Sequence, residues 1–77
     1  MELNPIVELG LICQKHFSKN MTCYVISVDT SNPRPVITVS IHLPNRQKCR
    51  GVGGNKKQAK RNAAAEILSN LDAFLNP

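Results

Sequence analysis

Residues 51–68 read GVGGNKKQAKRNAAAEIL, and this stretch does most to decide the fold. Asn55 followed three residues later by Gln58 is the capping-box pattern of a helix start. Small and apolar residues then recur at helical spacing almost to the C-terminus, at Ala59, Ala63, Ile67, Leu71 and Phe74. We therefore predict one long helix from Asn55 onward, with residues 51–54 as a flexible, glycine-rich break before it.

The first turns of this helix are strongly basic. A helix N-terminus offers unpaired N–H groups and the positive end of the helix dipole, which suit a phosphate group. Lys56, Lys57 and Lys60 add three ammonium groups at the same place, although cations there oppose the dipole and cost stability. This cost indicates a functional reason for the lysines. The alternative interpretation is a solvated charge run that serves only solubility.

The rest of the chain predicts one small α+β domain. Asn4-Pro5 is a typical helix opening, and apolar residues at helical spacing extend that first helix to about residue 17. Residues 23–28, 36–43 and 47–52 read as strands, and residues 36–43 alternate most clearly. The order is α-β-β-β-α, with both helices on one face of a three-stranded antiparallel sheet. We take residues 1–77 as a single domain with a core of about residues 4–72.

Composition limits the function. The chain contains ten Lys and Arg residues and only five Asp and Glu residues. Residues 30–65 carry eight basic residues and no acidic one, which suggests a polyanionic partner. Cys13, Cys23 and Cys49 lack metal-ligand spacing, and so do His16 and His42. We expect reduced thiols, no metal, no cofactor, no small-molecule substrate and no enzymatic activity in the domain itself. With no membrane span and no secretory signal in sight, we expect a soluble intracellular protein, in the cytoplasm rather than the nucleus.

The sequence resembles the double-stranded-RNA-binding domain family over nearly its whole length. The resemblance rests on the α-β-β-β-α order, the Asn-Pro helix opening and the Lys-Lys-x-Ala-Lys-x-x-Ala-Ala run at residues 56–64. It implies a module that recognises A-form duplex RNA by shape and by phosphate contacts, over about 16 base pairs. Residues 50–54, Arg-Gly-Val-Gly-Gly, together with Pro5-Ile6 and Glu8-Leu9 upstream, further resemble the C-terminal domain of Dicer-type ribonucleases. That likeness implies the C-terminal part of a larger RNA-processing protein and a place in RNA-mediated gene silencing.

The family contacts RNA through helix 1, the loop between the first two strands and the start of helix 2. The resemblance carries over fully at helix 2, where it implies phosphate contacts across the major groove. In the loop, the usual Gly-Pro-x-His is replaced by Asn-Pro-Arg-Pro, which keeps Pro33 and offers Arg34. We assign RNA binding to Lys56, Lys57, Lys60, Arg61, Asn55, Arg34, Pro33, Gln14 and Lys15.

Helix 1 departs most from the family. Val7 and Leu11 stand where the family often has polar residues facing the minor groove, and Gln14 and Lys15 are the polar residues left nearby. Val7 and Leu11 are four residues apart, so they lie together on the outer helix face. We interpret them as a protein-contact patch, for a partner or a neighbouring domain. The alternative is that they cover a loop such as residues 18–21.

Two other function classes remain open from the sequence. A domain of this fold could be a protein-interaction module that uses helix 1 or the sheet face. Gly51-Val52-Gly53-Gly54 also fits the GXXG loop of a KH domain, although a KH loop joins two helices and this segment follows a strand. A nucleotide-binding P-loop would need a Gly-Lys-Ser/Thr ending, which is missing here.

Overall fold

The chain folds in the predicted order, with one short helix added at the end. A computed structural model describes residues 4–31 and 33–77. The elements are α1 (Pro5–Phe17), β1 (Thr22–Asp29), β2 (Val36–His42), β3 (Lys48–Gly53), α2 (Lys56–Ser69) and α3 (Leu71–Leu75). The strands form one antiparallel sheet in the order β1-β2-β3.

Local chemistry sets both ends of α1, as predicted. The Asn4 side chain accepts a hydrogen bond of 2.9 Å from the N–H of Ile6, and Pro5 fills the first helical position. After Phe17 the helix ends at Ser18, which adopts the left-handed conformation and donates its N–H to the carbonyl of Gln14.

The core lies between the sheet and the two main helices. Leu9 and Cys13 of α1 join Ala63, Ala64 and Ile67 of α2 in one buried cluster with the inner face of β2. Both helices therefore pack on the same face of the sheet, which confirms the predicted architecture. The predicted α1 stripe is also confirmed, because Ile6 and Phe17 pack against this cluster.

The predicted flexible break at residues 51–54 is wrong up to Gly53, because β3 runs through that residue; the strand predicted over residues 47–52 had already included residues 51 and 52. Gly51 and Gly53 belong to β3 and pair with Val39 and Ile37 of β2. A Cβ added at Gly51 would stand 2.7 Å from the Cβ of Ala63 and closer still to backbone atoms of α2, far inside van der Waals contact. These two glycines let the helix lie directly on the strand. Of residues 51–54, only Gly54 lies outside β3.

The predicted continuous C-terminal helix is also wrong, because Asn70 interrupts it. Asn70 leaves helical geometry (φ −127°, ψ 36°), and its N–H bonds to the carbonyl of Ile67, three residues back. The chain turns and resumes as α3, so Phe74 still packs on the core as the spacing predicted. Across the described ranges, no helix has the length and apolar character needed to cross a membrane.

The β2–β3 turn ties α3 to one end of the sheet. β2 ends at His42, one residue before the predicted end, because Leu43 opens the turn by donating its N–H to the carbonyl of Gln47. In this turn the Asn45 side chain donates a 2.7 Å hydrogen bond to the carbonyl of Phe74. The turn and α3 therefore share the end of the sheet opposite to the start of α2.

Candidate nucleic-acid interface

The N-terminus of α2 is capped by side chains and exposed to solvent. The Asn55 side chain accepts a 2.8 Å hydrogen bond from the N–H of Gln58, as the capping pattern predicted. The Gln58 side chain in turn accepts from the N–H of Gly54, at 2.7 Å, one residue before the position that a standard capping box uses. The N–H groups of Lys56 and Lys57 have no helical carbonyl group four residues earlier to which they could donate, so they point out of the helix end.

Four basic side chains surround this helix end. Lys56, Lys57 and Arg61 are exposed, whereas Lys60 is half-buried. Lys60 stands beside the buried stripe of α2, as its position on the helical wheel predicted, and is partly exposed to solvent. Asn55, Lys57, Gln58 and Arg61 line an open depression of about 330 Å³. The first turn of α2 contains no acidic residue, so the positive charge of this helix end is uncompensated there.

The strand register brings the β1–β2 loop to the same end of the sheet. Asp29 pairs with Val36 on either side of the loop, and the next residue of β2, Ile37, pairs with Gly53 just before α2. Since neighbouring strands lie about 4.8 Å apart, the loop and the start of α2 are separated by roughly two strand spacings. Pro33 and Arg34, both exposed, therefore lie at the same end of the sheet as the lysines of α2. Asn32 of the same loop lies outside the described residues.

The start of this loop is shaped by a small hydrogen-bonded turn. The Asp29 carboxylate accepts from the Ser31 hydroxyl at 2.6 Å and from the Ser31 N–H at 3.0 Å. These hydrogen bonds, the hydroxyl first, hold the pKa of Asp29 below its ordinary value. Asp29 is therefore an ionised group that is hydrogen-bonded to Ser31, at the end of the sheet where α2 begins.

The polar residues proposed on α1 lie far from the α2 lysines. Gln14 and Lys15 are exposed in the last turn of α1, and Lys15 lies beside Leu75 of α3 in a shallow apolar depression. That is the end of the sheet where α3 meets the β2–β3 turn. The 14 residues of α2 span about 21 Å, so Lys15 and the α2 lysines cannot share one phosphate group. Only a ligand longer than this distance could touch both.

Val7 and Leu11 lie on the outer face of α1, as predicted. Their side chains are 52% and 58% exposed, so they do not cover a loop such as residues 18–21. Because the core stripe of α1 is formed by other residues, this pair is an exposed apolar patch.

The cysteine positions agree with a structural role. Cys13, Cys23 and Cys49 are free, and all three belong to the core or pack against it. Burial raises the pKa of the Cys13 thiol and, together with the nearby charge of Glu66, that of the Cys49 thiol, which keeps them in the unreactive protonated form. Within the described residues, no three His, Cys, Asp or Glu side chains come together to hold a metal ion.

The solvent-facing side of the sheet carries a group of side chains that could not be recognised from the sequence. There Tyr24 of β1 meets His42 of β2, and Lys48 and Arg50 of β3 stand beside them. From the sequence, Lys48 and Arg50 could be assigned only to the strand predicted over residues 47–52. Their cross-strand neighbours depend on register, and no local pattern reports it.

An α+β fold with both helices on one sheet face and a basic, exposed helix start defines a nucleic-acid-binding module. The sequence matches the family described as "Double-stranded RNA binding motif" over residues 8–71, so the chain belongs to the double-stranded-RNA-binding domain family. No curated protein matches the chain. The family match supports double-stranded RNA as the partner, and because domains of this family bind without catalysis, the chain is a binding module.

Proposed function

We propose that this domain holds A-form duplex RNA by its shape and phosphate spacing, without strong sequence readout. The observation that carries this proposal is the uncompensated basic start of α2 beside the β1–β2 loop. Phosphate contacts fix the position of a protein on a duplex but carry no sequence information. A surface built from lysines and a helix N-terminus therefore fits any sequence of the right geometry.

The residues have distinct roles in this proposal. Lys56, Lys57 and Lys60, with Arg61 and Asn55, contact phosphates that border the major groove. Pro33 and Arg34 approach the neighbouring minor groove from the β1–β2 loop, which is supported by the position of that loop at the same end of the sheet as the start of α2. Gln14 and Lys15 reach a separate stretch of the duplex, which their distance from the lysines requires.

The test is the triple change Lys56→Ala, Lys57→Ala and Lys60→Ala, with duplex affinity measured over a range of salt concentrations. Each lost phosphate contact lowers the slope of log affinity against log salt by about one, so we expect a decrease of roughly two to three. Affinity should fall to a similar extent for all duplex sequences. The fold should stay intact or become slightly more stable, since the lost charges oppose the helix dipole.

A matched control removes exposed charge elsewhere, by changing Lys19 and Arg46 to Ala. This control should leave the salt slope nearly unchanged. Duplex DNA and single-stranded RNA are measured in parallel, and duplex RNA must bind most tightly. A triple variant that binds duplex RNA as tightly as the original chain would overturn the site assignment.

We propose a second contact, in which the Val7–Leu11 patch binds a protein surface, such as a neighbouring domain of a longer chain. It is supported by the exposure of both aliphatic side chains. Neither can hydrogen-bond a ribose 2′-hydroxyl, so helix 1 should contribute little to the preference for RNA over DNA.

The test of this contact is the double change Val7→Gln and Leu11→Glu. Because both positions are exposed, the free energy of unfolding should change by no more than about 0.5 kcal/mol. The preference for duplex RNA over duplex DNA should be kept or improved. Unfolding of the double variant would instead place these side chains in the core.

We further propose a cellular setting from the sequence resemblance. In this setting the domain is the C-terminal, RNA-holding part of a larger Dicer-type RNA-processing protein that acts in RNA-mediated gene silencing. It acts inside the cell, in the cytoplasm rather than the nucleus. The complete reading frame should then encode a ribonuclease upstream of this domain, and a frame without one would contradict the setting.

A further inference from the structure

The sheet has a second surface, opposite to the helices, which we call the open face. Alternation along the strands assigns to it the residues that do not point at the core. The register then aligns them in rows across the three strands: Thr22, His42 and Lys48; Tyr24, Ser40 and Arg50; and Ser27, Thr38 and Val52. The lysines of α2 belong to the other layer of the domain, so the open face is a separate surface.

Two aromatic rings form the centre of one half of this face. The rings of Tyr24 and His42 meet edge to face, with centroids 4.8 Å apart and planes at 69°. Tyr24 nevertheless stays 51% exposed. The contact with His42 restrains the Tyr24 ring, so a ligand that stacks on it loses less conformational freedom than it would on an isolated side chain.

Two cations border these rings on the open face, whereas Glu66 approaches β3 from the helix side, close enough to raise the pKa of the Cys49 thiol. Lys48 lies opposite His42, and Arg50 lies opposite Ser40, about 6.7 Å further along β3. Among the described residues, the acids Glu8, Glu66 and Asp72 belong to the helices. Asp29 lies at the far end of β1, about 17 Å along the strand from Tyr24, and is engaged by Ser31.

The middle of the open face is closed. Ser40 is a small polar residue that points away from the helices, yet it is only 1% exposed. Its neighbours across the strands are Tyr24 and Arg50, and only side chains on the open face can cover it. The side chains of Tyr24 and Arg50 therefore lie over Ser40 and leave no opening there for an inserted side chain, so a ligand must bind on top of them.

We propose that the open face binds single-stranded nucleic acid, with a base stacked on Tyr24 and the adjoining phosphates at Lys48 and Arg50. An exposed aromatic ring beside unpaired cations is the combination that sequence-tolerant single-strand sites use. An acidic peptide would be attracted by the cations but would have no use for the ring. This site acts independently of the α2 lysines, so one domain can hold a duplex and a single strand at once.

The test titrates the isotopically labelled chain with a ten-nucleotide oligouridine and follows amide shifts by NMR. The shifts should cluster at Tyr24, His42, Lys48 and Arg50. Stacking of one base contributes about 1–3 kcal/mol. Tyr24→Val, which keeps a strand-forming residue, should therefore weaken oligouridine binding about tenfold, whereas Tyr24→Phe should retain it.

Two further variants separate this site from the rest of the domain. Lys48→Ala with Arg50→Ala should lower the salt slope for oligouridine by about 1.4, since each single-strand phosphate contributes about 0.7. Val52→Ala, on the same face, should leave binding unchanged. The triple lysine variant of α2 should lose duplex binding and keep oligouridine binding, so failure of one proposal is distinguishable from failure of the other.

Three results would overturn the proposal. The first is a Tyr24→Val variant that folds and binds oligouridine as tightly as the original chain. The second is a set of oligouridine shifts confined to α2 and the β1–β2 loop. The third is a hexaglutamate peptide that displaces oligouridine from the original chain at the concentration at which oligouridine itself binds, because the site would then recognise charge alone.

Discussion

The change Gly51→Ala tests the packing that positions the basic helix start. Gly51 lies in β3 with its missing side chain directed at α2. An added methyl group would stand 2.7 Å from the Cβ of Ala63 and would also overlap the carbonyl oxygen of Ala59 and the N–H of Ala63. Two of these three neighbours are backbone atoms of a helix, so no side-chain rotation can make room. The whole helix must move away from the strand.

The size of the effect follows from this geometry. Overpacking by one methylene-sized group costs about 1–3 kcal/mol, and a rigid helix places this site at the upper end of the range. Replacing glycine also removes conformational freedom from the unfolded chain, which offsets about 0.4–1 kcal/mol. The net loss should be about 2 kcal/mol. A chain of this length has a total stability of about 4–11 kcal/mol, so the loss is large but leaves the domain folded.

The assay is urea unfolding followed by circular dichroism, with the free energy taken from the midpoint and slope. The thermal midpoint should also fall by about 8–16 °C, because 1 kcal/mol corresponds to about 4–8 °C in a domain of this size. Duplex RNA binding should weaken as well, since the displaced helix carries the lysines. Gly54→Ala is the matched control, because its added Cβ meets only the flexible end of Gln58, at 3.3 Å.

The packing argument also predicts the outcome of a compensating change. Ala63→Gly in the Gly51→Ala background removes the Cβ contact but leaves the two backbone contacts in place. Glycine inside a helix also costs about 1 kcal/mol, so the second change should restore at most a few tenths of a kcal/mol of stability. A Gly51→Ala variant as stable as the original chain, or no less stable than Gly54→Ala, would refute the close approach of α2 to β3.

Three further predictions concern single side chains. Asn55→Ala removes the cap of α2 and should lower the free energy of unfolding by about 1 kcal/mol, measured by urea unfolding. Asn45→Ala removes the hydrogen bond to the Phe74 carbonyl, so it should cost about 0.5–1.5 kcal/mol and increase hydrogen exchange in α3 first; unchanged exchange there would contradict the anchoring role. Ser31→Ala should raise the pKa of Asp29 toward its ordinary value, as measured by NMR titration. Because the folded-state pKa is lowered, the stabilisation from these hydrogen bonds is present above the ordinary pKa of aspartate and is lost as pH falls through the folded-state pKa. Ser31→Ala should reduce that acid dependence without abolishing it, because the backbone N–H at position 31 still donates to Asp29.

The features that could be predicted from the sequence are those with local causes. The start of α1 depends on Asn4 and Pro5, which act on the backbone within two residues. The alternation along β2 reports which side is apolar, and the basic run after Asn55 is contiguous in the chain. Exposure of Val7 and Leu11 followed from helix geometry once the core stripe of α1 was recognised. In each case the interacting groups are separated by only a few residues.

The features that could not be predicted depend on which segments meet in space. Gly53 looks like part of a flexible loop in the sequence, but it is a strand residue because it pairs with Ile37 of β2. The close packing of α2 on Gly51 and Gly53 brings together residues 5 to 12 positions apart in the chain. Likewise, the burial of Ser40 and the pairing of Tyr24 with His42 follow from strand register.

Sequence alone determined that this protein is a small α+β domain with a basic helix start, because caps, periodicity and charge order act over short distances along the chain. Tertiary structure decided where that helix start lies: the register of β1, β2 and β3 sets the β1–β2 loop beside the lysines and Lys15 at the opposite end. Tertiary structure also decided that the helix breaks at Asn70, although the apolar spacing continues to Phe74. Periodicity records which side of a segment faces the core, and only the packed core determines where the segment must bend to stay on it.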